Sequence, residues 1–155
     1  MTSVVSRIVE VCVFRLKNDL PEYLVLRRAV DDPVHPGMWQ LITGTVEEGE
    51  RALDASLREL QEETEMKPER YWVVPFTNSF YDPRRDSVNM IPFFAGQVGS
   101  SIEPRLSGEH SSYAWLPLNE ARACLVWPGQ RNGLDIVHRY LVAGEEAARL
   151  VAVSL

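Results

Sequence analysis

The order of elements along the 155-residue chain predicts a mixed α+β domain. Three observations carry that expectation. Segments rich in β-branched residues open the chain and recur through it. Helical segments lie between them, and the two kinds do not alternate as a doubly wound parallel sheet would require. The length suits one domain over residues 1–155, large enough to hold a core without disulfide or metal staples.

Val4 to Leu16 reads as a strand, Lys17 to Pro21 as a turn, and Glu22 to Ala29 as the second strand of a hairpin. Asp31 to Gly37, with two prolines, reads as a loop. Trp39 to Val46 reads as a strand that breaks at Gly44. Arg51 to Glu65 is the clearest helix: rich in Ala, Leu, Arg and Glu, free of Pro and Gly, and closed by Pro68. Arg70 to Phe76 and Val88 to Val98 read as strands, with Thr77 to Asp86 a loop between them. Gly99 to Gly108 reads as a loop, Tyr113 to Leu116 as a short strand, and Leu118 to Leu125 and Gly133 to Ala143 as helices.

Composition narrows the function. Apolar residues make up 45% and charged residues 25%, as in ordinary globular chains. The net charge of −6 disfavours nonspecific nucleic-acid binding, which needs a basic footprint. No apolar run approaches the ~18 residues of a membrane span. The segment Met1 to Arg7, with Glu10 soon after, does not read as a signal peptide. A cytoplasmic protein without a membrane partner is the expectation, and Cys12 and Cys124, in apolar surroundings and without metal-ligand spacing, then read as free thiols. Oligomeric state is left open.

The chemistry concentrates between Gly44 and Met66. On a helical wheel, Glu62 and Glu63 fall within about 60° of Glu59, so three carboxylates share a face. Leu53, Leu57, Leu60 and Thr64 lie about 100–160° away as a core-facing stripe. Like charges four residues apart weaken a helix, whereas a hard divalent cation reverses the sign of that interaction. Ala52, Ala55 and Ser56, one turn earlier, are expected to leave room for a phosphate chain. Gly44 and Gly49 permit tight bends ahead of the helix, and Glu50 suits its N-terminal dipole.

Gly44, five residues, Glu50, seven residues, then Arg58-Glu59-Leu60-Gln61-Glu62-Glu63 resembles the signature of the Nudix hydrolases, also called MutT-like. The chance of such a match is on the order of one in 10⁸ per starting position at average residue usage. One position departs: Glu65 stands where the signature has glycine, in a left-handed helix terminus. The resemblance implies an α/β/α sandwich around a mixed sheet. It also implies hydrolysis of a nucleoside diphosphate linked to another group, with Mg²⁺ or Mn²⁺ as the cofactor. By it Glu59 and Glu63 are the principal metal ligands, Glu62 an additional one, and the Thr43 carbonyl a further candidate. Glu50 supports the helix start, Arg58 orients the carboxylates, and Glu109 serves as metal ligand or general base. Glu62 and Glu63 are the alternatives for that base. Arg27, rather than Arg28, is expected to grip phosphate, beside Thr43 and Gly44. Tyr81 and Arg84 are expected to reach the substrate from their loop. His35, His110 and His138 fit no ligand pattern.

The stretch Met38 to Glu50, the paired Arg27-Arg28, Glu109-His110 and the late Trp127 with Gln130-Arg131-Asn132 resemble dihydroneopterin triphosphate pyrophosphatases. That implies release of pyrophosphate from a pterin or nucleoside triphosphate. A dinucleoside polyphosphate hydrolase, suggested by Tyr81, and a nucleotide-binding Nudix module without catalysis are the alternatives.

Overall fold

The computed structural model describes residues 1–155. A short strand β1 (Ser3–Val5) precedes a long one, β2 (Ile8–Lys17), which organises the rest. Every residue of β2 from Val9 to Arg15 is buried, so both of its faces are covered. Alternation sends Val9, Val11 and Val13 into one apolar cluster and Cys12 and Phe14 into another. The expected α+β sandwich, helices on both faces of a sheet, follows from that division.

β2 turns into β3 (Leu20–Arg28) through Asn18 and Asp19, both at positive φ, as a two-residue hairpin loop requires. β4 (Trp39–Gln40) and β5 (Ile42–Thr45) replace the single strand expected there. The break falls at Leu41, and Gly44 stays in the ladder opposite Val9. Helix α1 (Ala52–Thr64) follows, within one residue of expectation at each end. Next come β6 (Arg70–Asp82) and β7 (Ser87–Gln97), an antiparallel pair matched from Arg70↔Gln97 to Asp82↔Ser87. Most of the expected loop Thr77 to Asp86 is therefore strand. Its polar residues and Pro75 hide the pattern, but β7 supplies backbone partners and the ladder absorbs the proline region in a bulge between Val73 and Thr77.

β8 (His110–Leu116) begins three residues before its expected start and pairs with β3. Helix α2 (Leu118–Cys124) then leads to α3 (Pro128–Ile136). α3 starts earlier than expected because Pro128 occupies its first turn, where no N–H is missed. It continues as a π-helical segment, Val137–Val142, and α4 (Glu145–Leu150) and β9 (Ala152–Val153) close the chain. These last two elements are too short for periodicity to reveal.

The sheet runs β4-β3-β2-β7-β6-β9, with β1 on β7, β5 on β2 and β8 on β3. β2 and β1 run parallel to β7 while the other pairs are antiparallel, so the sheet is mixed. One edge of β2 is shared: its second half pairs with β3 and its first half with β5. α1 packs with Ala55 and Leu60 against one face, and α2, α3 and α4 bring Ala121, Leu134 and Ala148 to the other. No helix is long and apolar enough to cross a membrane. Both cysteines are free thiols, and burial pushes the Cys12 thiol well up.

Glu65 adopts the left-handed conformation that the glycine of the signature would adopt, at φ 54°. Its only ion pair, with Arg105 at 3.4 Å, is exposed and contributes little. Glu65→Gly is expected to stabilise the protein by about 1 kcal/mol. Thermal unfolding would then shift upward by about 2–4 °C. An unchanged or lower midpoint contradicts a strained helix end.

Candidate active site

The loop and helix between Gly44 and Glu63 fold around one guanidinium. Arg58 donates from Nε and Nη2 to the two oxygens of Glu50, each at 2.9 Å. Its Nη1 reaches Glu59 at 3.0 Å and Glu62 at 3.1 Å, and its Nη2 also donates to the Thr45 carbonyl at 2.8 Å. Arg58 and the Glu47 backbone N–H hold Glu50 down at about 2. Arg58 thus ties three carboxylates of the signature and the end of β5 together. Glu59 also accepts the Thr45 backbone N–H at 3.0 Å. Gly44 makes that possible, because a Cβ there would strike Cγ and Cδ of Glu59.

Glu63 has a different environment. On the wheel it lies about 40° from Glu59 on the side of the core stripe, whereas Glu62 lies on the other side. Glu62 is accordingly 58% exposed and Glu63 only 3%. Neither oxygen of Glu63 has a hydrogen-bond partner. Burial, and then the charges of Glu59 and Glu109, push its carboxyl up to about 9, with Arg28 acting the other way. His110 Nδ1 lies 4.0 Å away, beyond hydrogen-bond range, and also lacks a partner. Burial and Arg28 lower His110 to about 4, so it is neutral and offers Glu63 no counter-charge. Glu109 is exposed, and its carbonyl accepts from Ala29 N at 2.9 Å. The fold therefore brings Glu109, which lies beyond β6 and β7 in the chain, into charge range of Glu63.

On the opposite face of the sheet from α1 lies a cavity of about 490 Å³. β2 contributes Ile8 and Glu10, β3 Arg28, β4 Gln40, β5 Thr43 and β6 Asn78 to Phe80. Trp127 and the start of α3 close it. Arg28 belongs to both regions: it lines the cavity, and its charge acts on Glu63. Asp32 anchors it through a close ion pair. Arg28, not Arg27, is thus the arginine at this junction. Arg27 turns away, donating to the Gly37 carbonyl at 3.1 Å, because a bulge between the two residues resets the alternation.

Three further expectations change. Tyr81 and Arg84 do not line the cavity; Tyr81 donates to Asp86 at 3.0 Å and Arg84 sits in the exposed hairpin turn. Asn78, Ser79 and Phe80 of β6 border the cavity instead, with Asn78 reaching Glu10. Ala55 and Ser56 are fully buried, with Ser56 accepting the Tyr71 hydroxyl at 2.9 Å, and leave no space for phosphate. Thr43 does line the cavity, through a hydroxyl that accepts from Gln130 at 3.2 Å. Sequence reasoning gave no site role to Glu10, Gln40 or Gln130, although the last two lie in segments that carry the resemblance to the pterin enzymes. For Glu10 a signal existed: a carboxylate interrupting the apolar run from Ile8 to Phe14.

The model of the NUDIX domain family matches residues 6–140 of the chain. The chain belongs to the Nudix family. Nucleoside triphosphatase NudI of Escherichia coli strain SE11 is 34% identical over 108 residues, 65% of this chain and 76% of that protein. The protein of the same name from Shigella flexneri matches to the same extent. Among solved structures, a C. elegans Ap4A hydrolase binary complex superposes with a TM-score of 0.76 at 20% identity, covering 90% of this chain and 99% of that one. The E. coli dihydroneopterin triphosphate pyrophosphohydrolase gives 0.71 at 22%, over 90% and 99%. These structures share the Nudix fold, and the chain is a Nudix hydrolase of the MutT-like kind.

Nudix hydrolases generally use divalent metals, and the residues present fit one. The candidate donors are all oxygens, four carboxylates and the Thr43 carbonyl, as hard cations prefer, and Glu63 buries two oxygens that nothing in the protein satisfies. The carboxylates are not gathered at a common point: no group of three His, Cys, Asp or Glu side chains converges as a metal cluster. Arg58 accounts for this, since it draws Glu59 and Glu62 to itself.

Proposed function

We propose that the chain is a single Nudix domain over residues 1–155 that hydrolyses a phosphoanhydride bond of a nucleoside triphosphate or a related ring-bearing triphosphate, releasing pyrophosphate. The observation that carries this reading is the position of Arg28, which joins the cavity to the unsatisfied carboxylate of Glu63. A ring in the cavity would place its phosphate chain past Arg28, toward the carboxylates of α1. The name of the NudI relatives supports the nucleoside triphosphate.

In this reading Glu59, Glu62, Glu63 and Glu109 hold Mg²⁺, or Mn²⁺ in its place, with the Thr43 carbonyl as a further ligand. A cation held there would supply charge neutralisation for the phosphates and a lowered pKa for a bound water. Arg58 keeps Glu59 and Glu62 oriented, and Glu50 holds Arg58. Arg28 binds phosphate oxygens. Glu109, exposed and close in charge to Glu63, exchanges the proton of the attacking water with bulk solvent.

The test is release of pyrophosphate from the common nucleoside triphosphates and dihydroneopterin triphosphate, and of mononucleotides from dinucleoside polyphosphates, with Mg²⁺ and with a chelator. Turnover that the chelator removes and Mg²⁺ restores is the expected result. Absence of turnover with every triphosphate overturns the reading.

A further inference from the structure

Glu10 is a carboxylate in the middle of the central strand, 4% exposed, in the wall of the cavity. Its partners are two neutral amides. Gln130 Nε2 donates to its Oε1 at 3.1 Å, and Asn78 Nδ2 donates to its Oε2 at 3.1 Å and, more distantly, to its Oε1 at 3.4 Å. The direction of the first bond is determined. The Leu41 backbone N–H, which can only donate, points at Gln130 Oε1 at 3.2 Å, so the amide nitrogen of Gln130 must face Glu10 and Thr43. Glu10 is therefore held as an acceptor, and a carboxylate offers about four acceptor sites, more than two amides fill. Burying a charge this way is costly unless a ligand completes its hydrogen bonds.

We propose that Glu10 reads the ring of the substrate and selects one whose edge carries two adjacent donors, a ring N–H beside an exocyclic NH₂. Guanine and 2-amino-4-oxopteridines share that edge. Two parallel N–H groups match the two oxygens of one carboxylate, the geometry that makes bidentate pairs strong. Uracil and thymine present one N–H between two carbonyl oxygens, whose lone pairs would oppose those of Glu10. Adenine presents its amine beside an acceptor nitrogen, which gives one bond and one repulsion. The aromatic surfaces of Phe80 and Trp127 in the same cavity suit a flat ring of this size. The inference rests on the proposed hydrolysis of a ring-bearing triphosphate.

The experiment compares kcat/KM for GTP, ITP, UTP, ATP and dihydroneopterin triphosphate, with Mg²⁺, in wild type and Glu10→Gln. ITP lacks only the exocyclic amine of GTP. A hydrogen bond to a charged group is worth enough that GTP should exceed ITP by about 10- to 100-fold. In Glu10→Gln the GTP-to-ITP ratio should fall toward one. GTP as best substrate identifies a guanine nucleotide; the pterin as best substrate, with GTP still above ITP, identifies the pteridine source of the same edge. Equal use of GTP and ITP by wild type, or preference for UTP or ATP, overturns the role of Glu10 while leaving the hydrolysis intact. No turnover of any triphosphate overturns the hydrolytic reading instead. The wild-type ratio decides the matter even where Glu10→Gln does not fold.

Discussion

Glu63→Gln is expected to lower the proposed hydrolysis about 10³-fold, since a cation clamp on phosphate supplies several kcal/mol and each tenfold needs about 1.4. The same substitution should stabilise the metal-free protein. Glu63 is 3% exposed, with no hydrogen-bond partner for either oxygen, and its carboxyl is raised from the ordinary 4.5 to about 9. Between these values the folded chain keeps a proton that the unfolded chain releases, so stability falls as pH rises. The contribution is fully present below 4.5 and is lost progressively up to about 9. Glutamine has no proton to lose. At pH 8 with a chelator, the variant should therefore unfold at least about 1 kcal/mol, or about 2–4 °C, above wild type. Below pH 4.5 the difference should vanish. Thermal unfolding across pH, beside an activity assay, checks both halves. A variant that is inactive and also less stable at pH 8 would show that Glu63 has a structural partner rather than an unmet demand for charge.

Gly44→Ala should damage activity with little loss of stability. The added methyl would occupy the place of Cγ and Cδ of Glu59. Glu59 would have to swing away, giving up the Thr45 N–H and its contact with Arg58. Hydrolysis should fall about 10²-fold, the scale of losing one preorganised charged contact. The cost to folding should stay near or below about 1.5 kcal/mol, because the atoms that the new methyl meets belong to the flexible side chain of Glu59 and not to backbone. Tight binding of Mg²⁺ by wild type and weak binding by the variant, at similar unfolding midpoints, is the expected pattern. Full activity in Gly44→Ala would mean that Glu59 does not hold the metal.

Local chemistry was readable where the chain interacts with itself at short range. The signature segment brings its own carboxylates and its own arginine within one loop and one helix, so periodicity and spacing locate Glu50, Arg58, Glu59 and Glu62 on adjacent surfaces. Glu65 shows the same legibility: the departure from glycine was visible in the sequence, and the left-handed geometry persists in spite of it. The hairpin turn at Asn18-Asp19 belongs with these, because its residue types tolerate positive φ.

Long-range pairing determined what the sequence left ambiguous. The segment Thr77 to Asp82 has a polar composition that suits a loop, yet hydrogen bonding to β7 makes it strand and turns Phe80, not Tyr81, toward the cavity. A bulge in the β3–β8 ladder falls between Arg27 and Arg28, and it is Arg28, not the expected Arg27, that lines the cavity. The cavity itself joins Glu10, Gln130 and Asn78 from three distant elements.

By itself the sequence determined the family, the mixed architecture and the acidic helix, because these rest on local spacing and on alternation along single segments. The tertiary structure alone decided that Glu63 is buried without a partner, that Arg28 lines the cavity and acts on Glu63, and that Glu10 stands in the cavity wall. Burial and the electrostatic field at a side chain are sums over every neighbouring element, and no stretch of sequence contains that sum.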